Sequence, residues 1–267
     1  MLNRLLFVSA LLAGSLSATA AKPAKCHHKQ EKVKVIAHRG YWTAPESAQN
    51  SLASLTKAGA IKVYGSEFDV WMTADDALVI NHDRVYAGTE IDMERATLEE
   101  IGAIVLANGE KIPTLDQYLE QAAKIPGMRL ILEMKVHRTP EREVEAVKKI
   151  VEKLRQYGVV KRTDIISFSL HACQRFREQL PDTRIYFLGG SLSPQQLKDY
   201  GLTGMDYHMG ILRNHPEWIE EAHALGLEVN VWTVDNEQDM QEFIDRGVDY
   251  ITTDYPEQLQ ALLKKKK

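Results

Sequence analysis

Eight apolar runs of strand length recur along the 267 residues, and their alternation with helix-like stretches constrains the fold more than any other feature. The runs cover 33–37, 66–71, 129–134, 164–168, 184–188, 204–208, 227–232 and 249–252. Helix-like stretches fill 141–157, 172–180, 194–200, 216–225 and 237–246. In the first of these, Ala146, Ile150, Leu154 and Tyr157 fall at helical spacing. Pro181, Gly201, Gly226 and Gly247 punctuate the helix ends. Strands alternating with helices build a parallel sheet, and eight such units close into a (β/α)8 barrel. A further apolar run, Ala77 to Asn81, follows Trp71 too closely for a helical crossover. It is therefore expected to pair antiparallel, as part of a small insertion in the second βα unit over about 72–113, with the second helix resuming over 114–124. A composition 44% hydrophobic and 26% charged suits one large core, and no linker interrupts it. The barrel domain is expected over 33–260.

The ends of the chain carry different signals. Arg4 precedes an apolar run from Leu5 to Leu16, and Ala18-Thr19-Ala20 supplies small residues. That pattern reads as a signal peptide over 1–20, too short for a comfortable membrane span. A flexible leader over 21–32 and a basic tail over 261–267 flank the domain. An exported protein, periplasmic or secreted, is the expectation, with no stable membrane insertion after cleavage. Two cysteines, Cys26 and Cys173, are expected to be free thiols, since Cys26 lies in the polar leader. A formal net charge of −4 gives nothing to attract nucleic acid. The sequence carries no signal for an oligomeric state.

In a barrel of this kind the working face lies at the C-terminal ends of the strands. The first strand runs directly into His38-Arg39-Gly40, where a guanidinium could grip a phosphate through paired N–H bonds. Glu67 and Asp69 sit two apart on the second strand and so share a face, about 7 Å apart along the chain. A chain reversal at Ala74-Asp75 would set residues summing to about 149 opposite one another, placing His82 across from Glu67. The third strand ends in Glu133-Met134-Lys135, whose two charged residues again share a face. A Glu133–Lys135 salt bridge is one reading. Three carboxylates at neighbouring strand ends repel, however, and a hard cation held by oxygen ligands, Mg²⁺ or Ca²⁺, accounts for all three.

His38-Arg39-Gly40, Pro45-Glu46, Glu67-x-Asp69, His82-Asp83, Ile112-Pro113-Thr114-Leu115, Glu133-x-Lys135, Trp232-Thr233-Val234 and Thr253-Asp254 follow one another in an order that resembles the glycerophosphodiester phosphodiesterases. The resemblance spans about 33–256, and it implies a barrel with an insertion in the second βα unit. It further implies that Glu67, Asp69 and Glu133 bind one divalent cation, that His38 and His82 form the acid/base pair, and that Arg39 and Lys135 hold phosphate. Trp232 and Phe168 match pocket aromatics, and Glu46 matches an element beside the site. Three features depart from the family pattern. Three residues are inserted before Asn50-Ser51, Asp235 stands where asparagine is usual, and His208 has no counterpart. Asp83 is expected to orient His82 or hold its loop.

The implied substrate is a small glycerophosphodiester, hydrolysed to sn-glycerol 3-phosphate and an alcohol. No serine or cysteine has a base beside it in the pattern, so attack by the substrate's own 2-hydroxyl, through a cyclic phosphate, is expected. Two other readings stand beside this one. A phospholipase or sphingomyelinase acting on intact lipid should offer long apolar loops, and aromatic content is only 7%. A non-catalytic sugar- or phosphate-binding barrel should have lost a carboxylate or a histidine, and none is missing.

Overall fold

The computed structural model describes residues 33–265. The signal peptide, the leader and Cys26 lie outside the described residues. Nine strands alternate with helices: β1 (Lys34–Ala37), α1 (Leu52–Ala60), β2 (Gly65–Met72), β3 (Leu78–Ile80), α2 (Leu98–Gly102), α3 (Leu115–Ala123), β4 (Arg129–Met134), α4 (Pro140–Gln156), β5 (Thr163–Ser167), α5 (Leu170–Gln179) and β6 (Arg184–Phe187). The chain continues through α6 (Pro194–Asp199), β7 (Gly204–His208), α7 (Met209–Asn214), α8 (Trp218–Ala224), β8 (Glu228–Trp232), α9 (Glu237–Asp245), β9 (Tyr250–Thr253) and α10 (Pro256–Lys265). Eight strands pair in parallel in the order β1-β9-β8-β7-β6-β5-β4-β2, and β1 pairs with β2 to close the ring. This is the expected (β/α)8 barrel. The last helix runs past residue 260 to Lys265, and Leu262 and Leu263 on it are buried.

Burial on both faces explains why the strands read as continuous apolar runs. Every residue of β2 is buried. Outward side chains such as Val70, Leu132 and Val231 pack against the helices, while Ile36, Ile131, Ile166, Tyr186 and Leu188 fill the barrel. Local signals fix the helix starts. Thr114 and Ser193 form capping boxes with Gln117 and Gln196, and Thr139 caps α4 with Pro140 in its first turn.

The insertion follows from the length of β2, which outruns β1. β1 pairs only with Gly65 and Ser66, leaving the far end of β2 to take β3 antiparallel. The register differs from the one expected. Val70, Trp71 and Met72 face Ile80, Val79 and Leu78, a sum of 150 rather than 149. The cause is the turn: Thr73 N–H reaches Ala77 O at 2.9 Å across three residues, with Asp76 in the left-handed region at φ 65°. A shift of one residue reverses which side chains match. Asp69, not Glu67, lies on the same rung as this segment, and its carbonyl accepts the Asn81 N–H at 3.1 Å. A second core of Trp71, Val79, Met93, Ile101, Ile104 and Ile112 holds the insertion together.

Gly204 shows how tightly the ring closes. A Cβ there would lie 1.9 Å from the carbonyl oxygen of Glu228 on the paired strand. Gly204→Ala is therefore expected to cost about 1–3 kcal/mol through backbone displacement, read as a lower urea midpoint with an unchanged slope. A midpoint equal to wild type would show that β7 and β8 are not held at this spacing.

Candidate active site

The site is built from strand ends. Glu67 and Asp69 rise from β2 and Glu133 from the neighbouring β4, where Asp69 and Glu133 are register partners. One oxygen from each of the three carboxylates lies within 4.8 Å of the others, and all three are buried. Each is handled differently. Glu67 Oε2 accepts the Arg39 N–H at 2.7 Å, while Oε1 is buried without a hydrogen-bond partner. Asp69 accepts from Asn50 Nδ2 at 2.8 Å and from Lys135 Nζ at 3.1 Å. Glu133 pairs with the same ammonium at 2.7 Å.

These environments push the acids apart. Burial, and then the charges of Asp69 and Glu133, raise Glu67 well above the ordinary carboxylate range. Burial and Asp69 push Glu133 up to about 7 against the pull of Lys135. Asp69 is equally buried, yet Lys135, His82 and the Asn50 hydrogen bond hold it well below its usual value. Lys135 pays desolvation as well, but its two carboxylates raise it. Expected as a phosphate ligand, Lys135 is engaged with the acids in this structure. An all-oxygen cluster with one orphaned oxygen and excess negative charge fits a hard divalent cation.

Two histidines flank the cluster, each anchored through Nδ1. His38 leaves β1 and meets Asp254 Oδ1 at 2.8 Å. Burial works against that carboxylate, but the hydrogen bond from His38 keeps it below its ordinary value. Trp42 Nε1 donates to the same oxygen, and Thr43 Oγ1 donates to the Asp254 backbone carbonyl, both at 2.8 Å. His82 meets Asp83 Oδ1 at 2.7 Å, and burial lowers its pKa. His38, Arg39, Glu67, His82, Glu133, Phe168, Asp206 and Trp232 line one pocket of about 110 Å³. His82 also borders a larger groove of about 660 Å³ between the β1–α1 loop and the insertion, beside Trp42, Asp83 and Tyr86.

The β1–α1 loop is where local geometry departs most from simple expectation. Arg39 and Gly40 both have positive φ, and a Cβ on Gly40 would lie 2.3 Å from Ser54 Oγ. Asn50, also left-handed, is buried and locks onto Asp69, so the inserted residues still deliver it to the acids. Ser51 caps α1. Glu46 is exposed, and it is Gln49 Oε1 that accepts from Arg39 Nη1 at 2.7 Å. Asp235 accepts the Asp254 N–H at 2.9 Å, a job an asparagine oxygen would do equally well. His208 is exposed, accepts the Gly210 N–H and lays its ring edge-on to Trp232 at 5.3 Å, with Phe168 on Trp232 at 5.8 Å. Sequence reasoning missed the roles of Asp254, Asn50 and Asp206, because each depends on a partner far along the chain. Cys173 is a buried free thiol.

A buried acidic cluster flanked by two carboxylate-anchored imidazoles, at the mouth of a (β/α)8 barrel, defines a hydrolase centre for phosphate esters. Residues 38–258 match the model of the glycerophosphoryl diester phosphodiesterase family, and the chain belongs to that family. A glycerophosphodiester phosphodiesterase structure from Parabacteroides distasonis is 47% identical, with a TM-score of 0.86, covering 89% of this chain and 99% of that one. A curated glycerophosphodiester phosphodiesterase from Caldanaerobacter subterraneus is 29% identical over 88% of this chain and 99% of its own length. An Oleispira antarctica phosphodiesterase, solved with its product sn-glycerol-3-phosphate, shares the fold at 24% identity and TM-score 0.74, covering 86% of this chain and 96% of that one.

The acid cluster gives the metal-free protein a distinctive pH dependence. Glu67 and Glu133 have folded pKa values above their unfolded ones, so their contribution is fully present below about pH 4.3 and is lost as pH rises through the folded values. Asp206, pushed up to about 7, acts in the same sense, whereas His82, pushed down, acts in the opposite sense as pH falls. In EDTA, melting should fall from pH 6 to pH 8, and less steeply in Glu133→Gln. Excess Mg²⁺ or Ca²⁺ should flatten the wild-type slope by holding both acids ionised. A Glu133→Gln slope equal to wild type would refute the account.

Proposed function

We propose that this chain hydrolyses water-soluble glycerophosphodiesters to sn-glycerol 3-phosphate and an alcohol, using one divalent cation, Mg²⁺ or Ca²⁺. One observation carries the reading. Two imidazoles, fixed at Nδ1 by Asp254 and Asp83, line the same small pocket as Glu67 and Glu133 of the acid cluster, leaving each Nε2 for the substrate. Glu67, Asp69 and Glu133 would hold the cation, and the orphaned Glu67 oxygen is the sign that they fit it. When bound, such an ion supplies charge neutralisation at the phosphoryl oxygens and acidifies a nearby hydroxyl.

The residues of the chain divide the remaining work. Arg39, whose Nε is buried and unpartnered, offers its guanidinium to the phosphate. Lys135 keeps the site from excess negative charge. One imidazole takes the proton of the substrate's 2-hydroxyl as its oxygen attacks phosphorus, and the other gives a proton to the departing alcohol. A cyclic phosphate results. Water then opens it with the two roles reversed, restoring both imidazoles. The neighbouring groove gives the alcohol a way out past His82. A pocket of about 110 Å³ suits glycerol phosphate, which favours the deacylated diester over an intact phospholipid. On the pattern of its leader, the enzyme acts after export. Among the described residues no helix is long and apolar enough to cross a membrane.

Release of sn-glycerol 3-phosphate from a panel of glycerophosphodiesters and phospholipids, with each metal, tests the reading directly. His38→Ala and His82→Ala should each lower kcat by about 10²–10⁴-fold with circular dichroism unchanged. Near-wild-type turnover in either folded variant would remove that histidine. EDTA should abolish activity, and Mg²⁺ or Ca²⁺ should restore it; full activity in protein shown to retain no metal would sink the cation assignment.

A further inference from the structure

Asp206 is the one pocket acid that neither the cation cluster nor the histidines use. It lies on β7, across the barrel from β2, with only 2% of its surface exposed. Its backbone carbonyl accepts the Trp232 indole N–H at 2.9 Å, which ties it to the aromatic wall. Asn230, its register partner on β8, stands beside it and is itself held by Thr252 at 2.9 Å. Yet Asp206 Oδ1 is buried without any partner. The side chain lines both the active pocket and a water-sized cavity of about 10 Å³ beneath it. A carboxyl oxygen buried without a protein partner beside Ile166, Leu188 and Trp232 is an acceptor left for a ligand to complete.

The chemistry of that ligand is restricted. A carboxylate repels phosphate oxygens, and those are already drawn to Arg39 on the opposite side of the pocket. Asp206 therefore suits a hydroxyl donor attached to an otherwise apolar fragment, since Ile166, Leu188 and Trp232 in the same pocket cover C–H groups. On the function proposed above, the 2-hydroxyl is used in attack and the 3-position carries phosphate. One donor remains. We propose that Asp206 accepts a hydrogen bond from the free 1-hydroxyl of the glycerol moiety and so selects glycerol diesters over those whose terminal hydroxyl is missing or acylated. Asp206 thereby acts as a specificity residue, and the aromatic wall of Trp232 and Phe168 fixes the glycerol carbon chain against it.

A matched pair of substrates isolates this contact: glycerophosphoethanolamine, and the phosphoethanolamine diester of propane-1,2-diol, which keeps the attacking hydroxyl and lacks only the terminal one. Wild type should favour the glycerol diester by roughly 10²–10⁴ in kcat/KM, because a site built around a hydroxyl rejects the analogue that leaves its acceptor unpaired. In Asp206→Ala the two should converge to within about threefold, the loss falling on the glycerol diester. Inhibition of wild type by sn-glycerol 3-phosphate against propane-1,2-diol phosphate gives the same comparison without a variant, and should favour the former at least tenfold. Equal wild-type efficiency on the two diesters, or a preference that survives in Asp206→Ala, overturns the role of Asp206 alone. Failure of wild type on both diesters overturns the proposed function and this inference with it.

Discussion

Three buried carboxylates within one 4.8 Å cluster are the constraint on which the rest of the site depends. Removing such groups from water is expensive, and each raises the cost of ionising the others. The surrounding residues answer that cost in distinct ways. Lys135 spans Asp69 and Glu133, Asn50 fastens Asp69, and the backbone N–H of Arg39 takes one oxygen of Glu67. Even so, Glu67 and Glu133 remain shifted upward. The protein alone leaves the charge incompletely compensated, and this residual imbalance is what gives a divalent cation its advantage over protons near neutral pH.

The site divides between rigid and grafted parts. The acids stand on β2 and β4, central strands packed on both faces, so their spacing is set by the barrel. His82 stands on the insertion, which has a core of its own and is fastened to the barrel by ion pairs such as Arg138–Asp92 and Arg142–Asp76. Glu110 reaches from the insertion to the first two N–H groups of α1 at 2.9 and 3.1 Å, tying it to the loop that bears Asn50. His38, in contrast, is anchored by Asp254 at the far end of the barrel sequence. The two imidazoles are thus positioned by independent pieces of chain, and the pocket exists only when barrel, loop and insertion are assembled.

Periodicity made the barrel legible. Eight buried strands cannot avoid reading as apolar runs, and the shortness of the link after Trp71 revealed the insertion. The carboxylates were legible too, because alternation along a strand fixes which residues share a face. Register was not. The 149 sum failed by one because the Thr73–Ala77 turn holds three residues at its tip, and nothing in Ala74-Asp75-Asp76 announces that Asp76 adopts positive φ. Nor does the sequence announce that Gln49, three residues past the exposed Glu46, is the one to accept from Arg39. Partnerships such as His38 with Asp254, 216 positions apart, are set by closure of the ring and leave no local trace.

Comparison of the two ends of the barrel separates structural from functional burial. At the N-terminal end Asp164 is 2% exposed, as buried as Asp206, but both its oxygens are taken, by Arg129 and by Arg184 at 2.9 and 2.7 Å. Tyr64, Tyr250 and Glu228 complete that network around Arg184. A set satisfied on every side can only hold strands together. At the opposite mouth, the same residue types leave Glu67 Oε1, Arg39 Nε and Asp206 Oδ1 buried without a protein partner. Folding alone gains nothing from burying groups that no protein atom pairs, since each lacks the intramolecular hydrogen bond that burial demands. Their convergence on one pocket follows if three different groups complete them: a cation at Glu67, phosphate oxygens at Arg39 and a hydroxyl at Asp206.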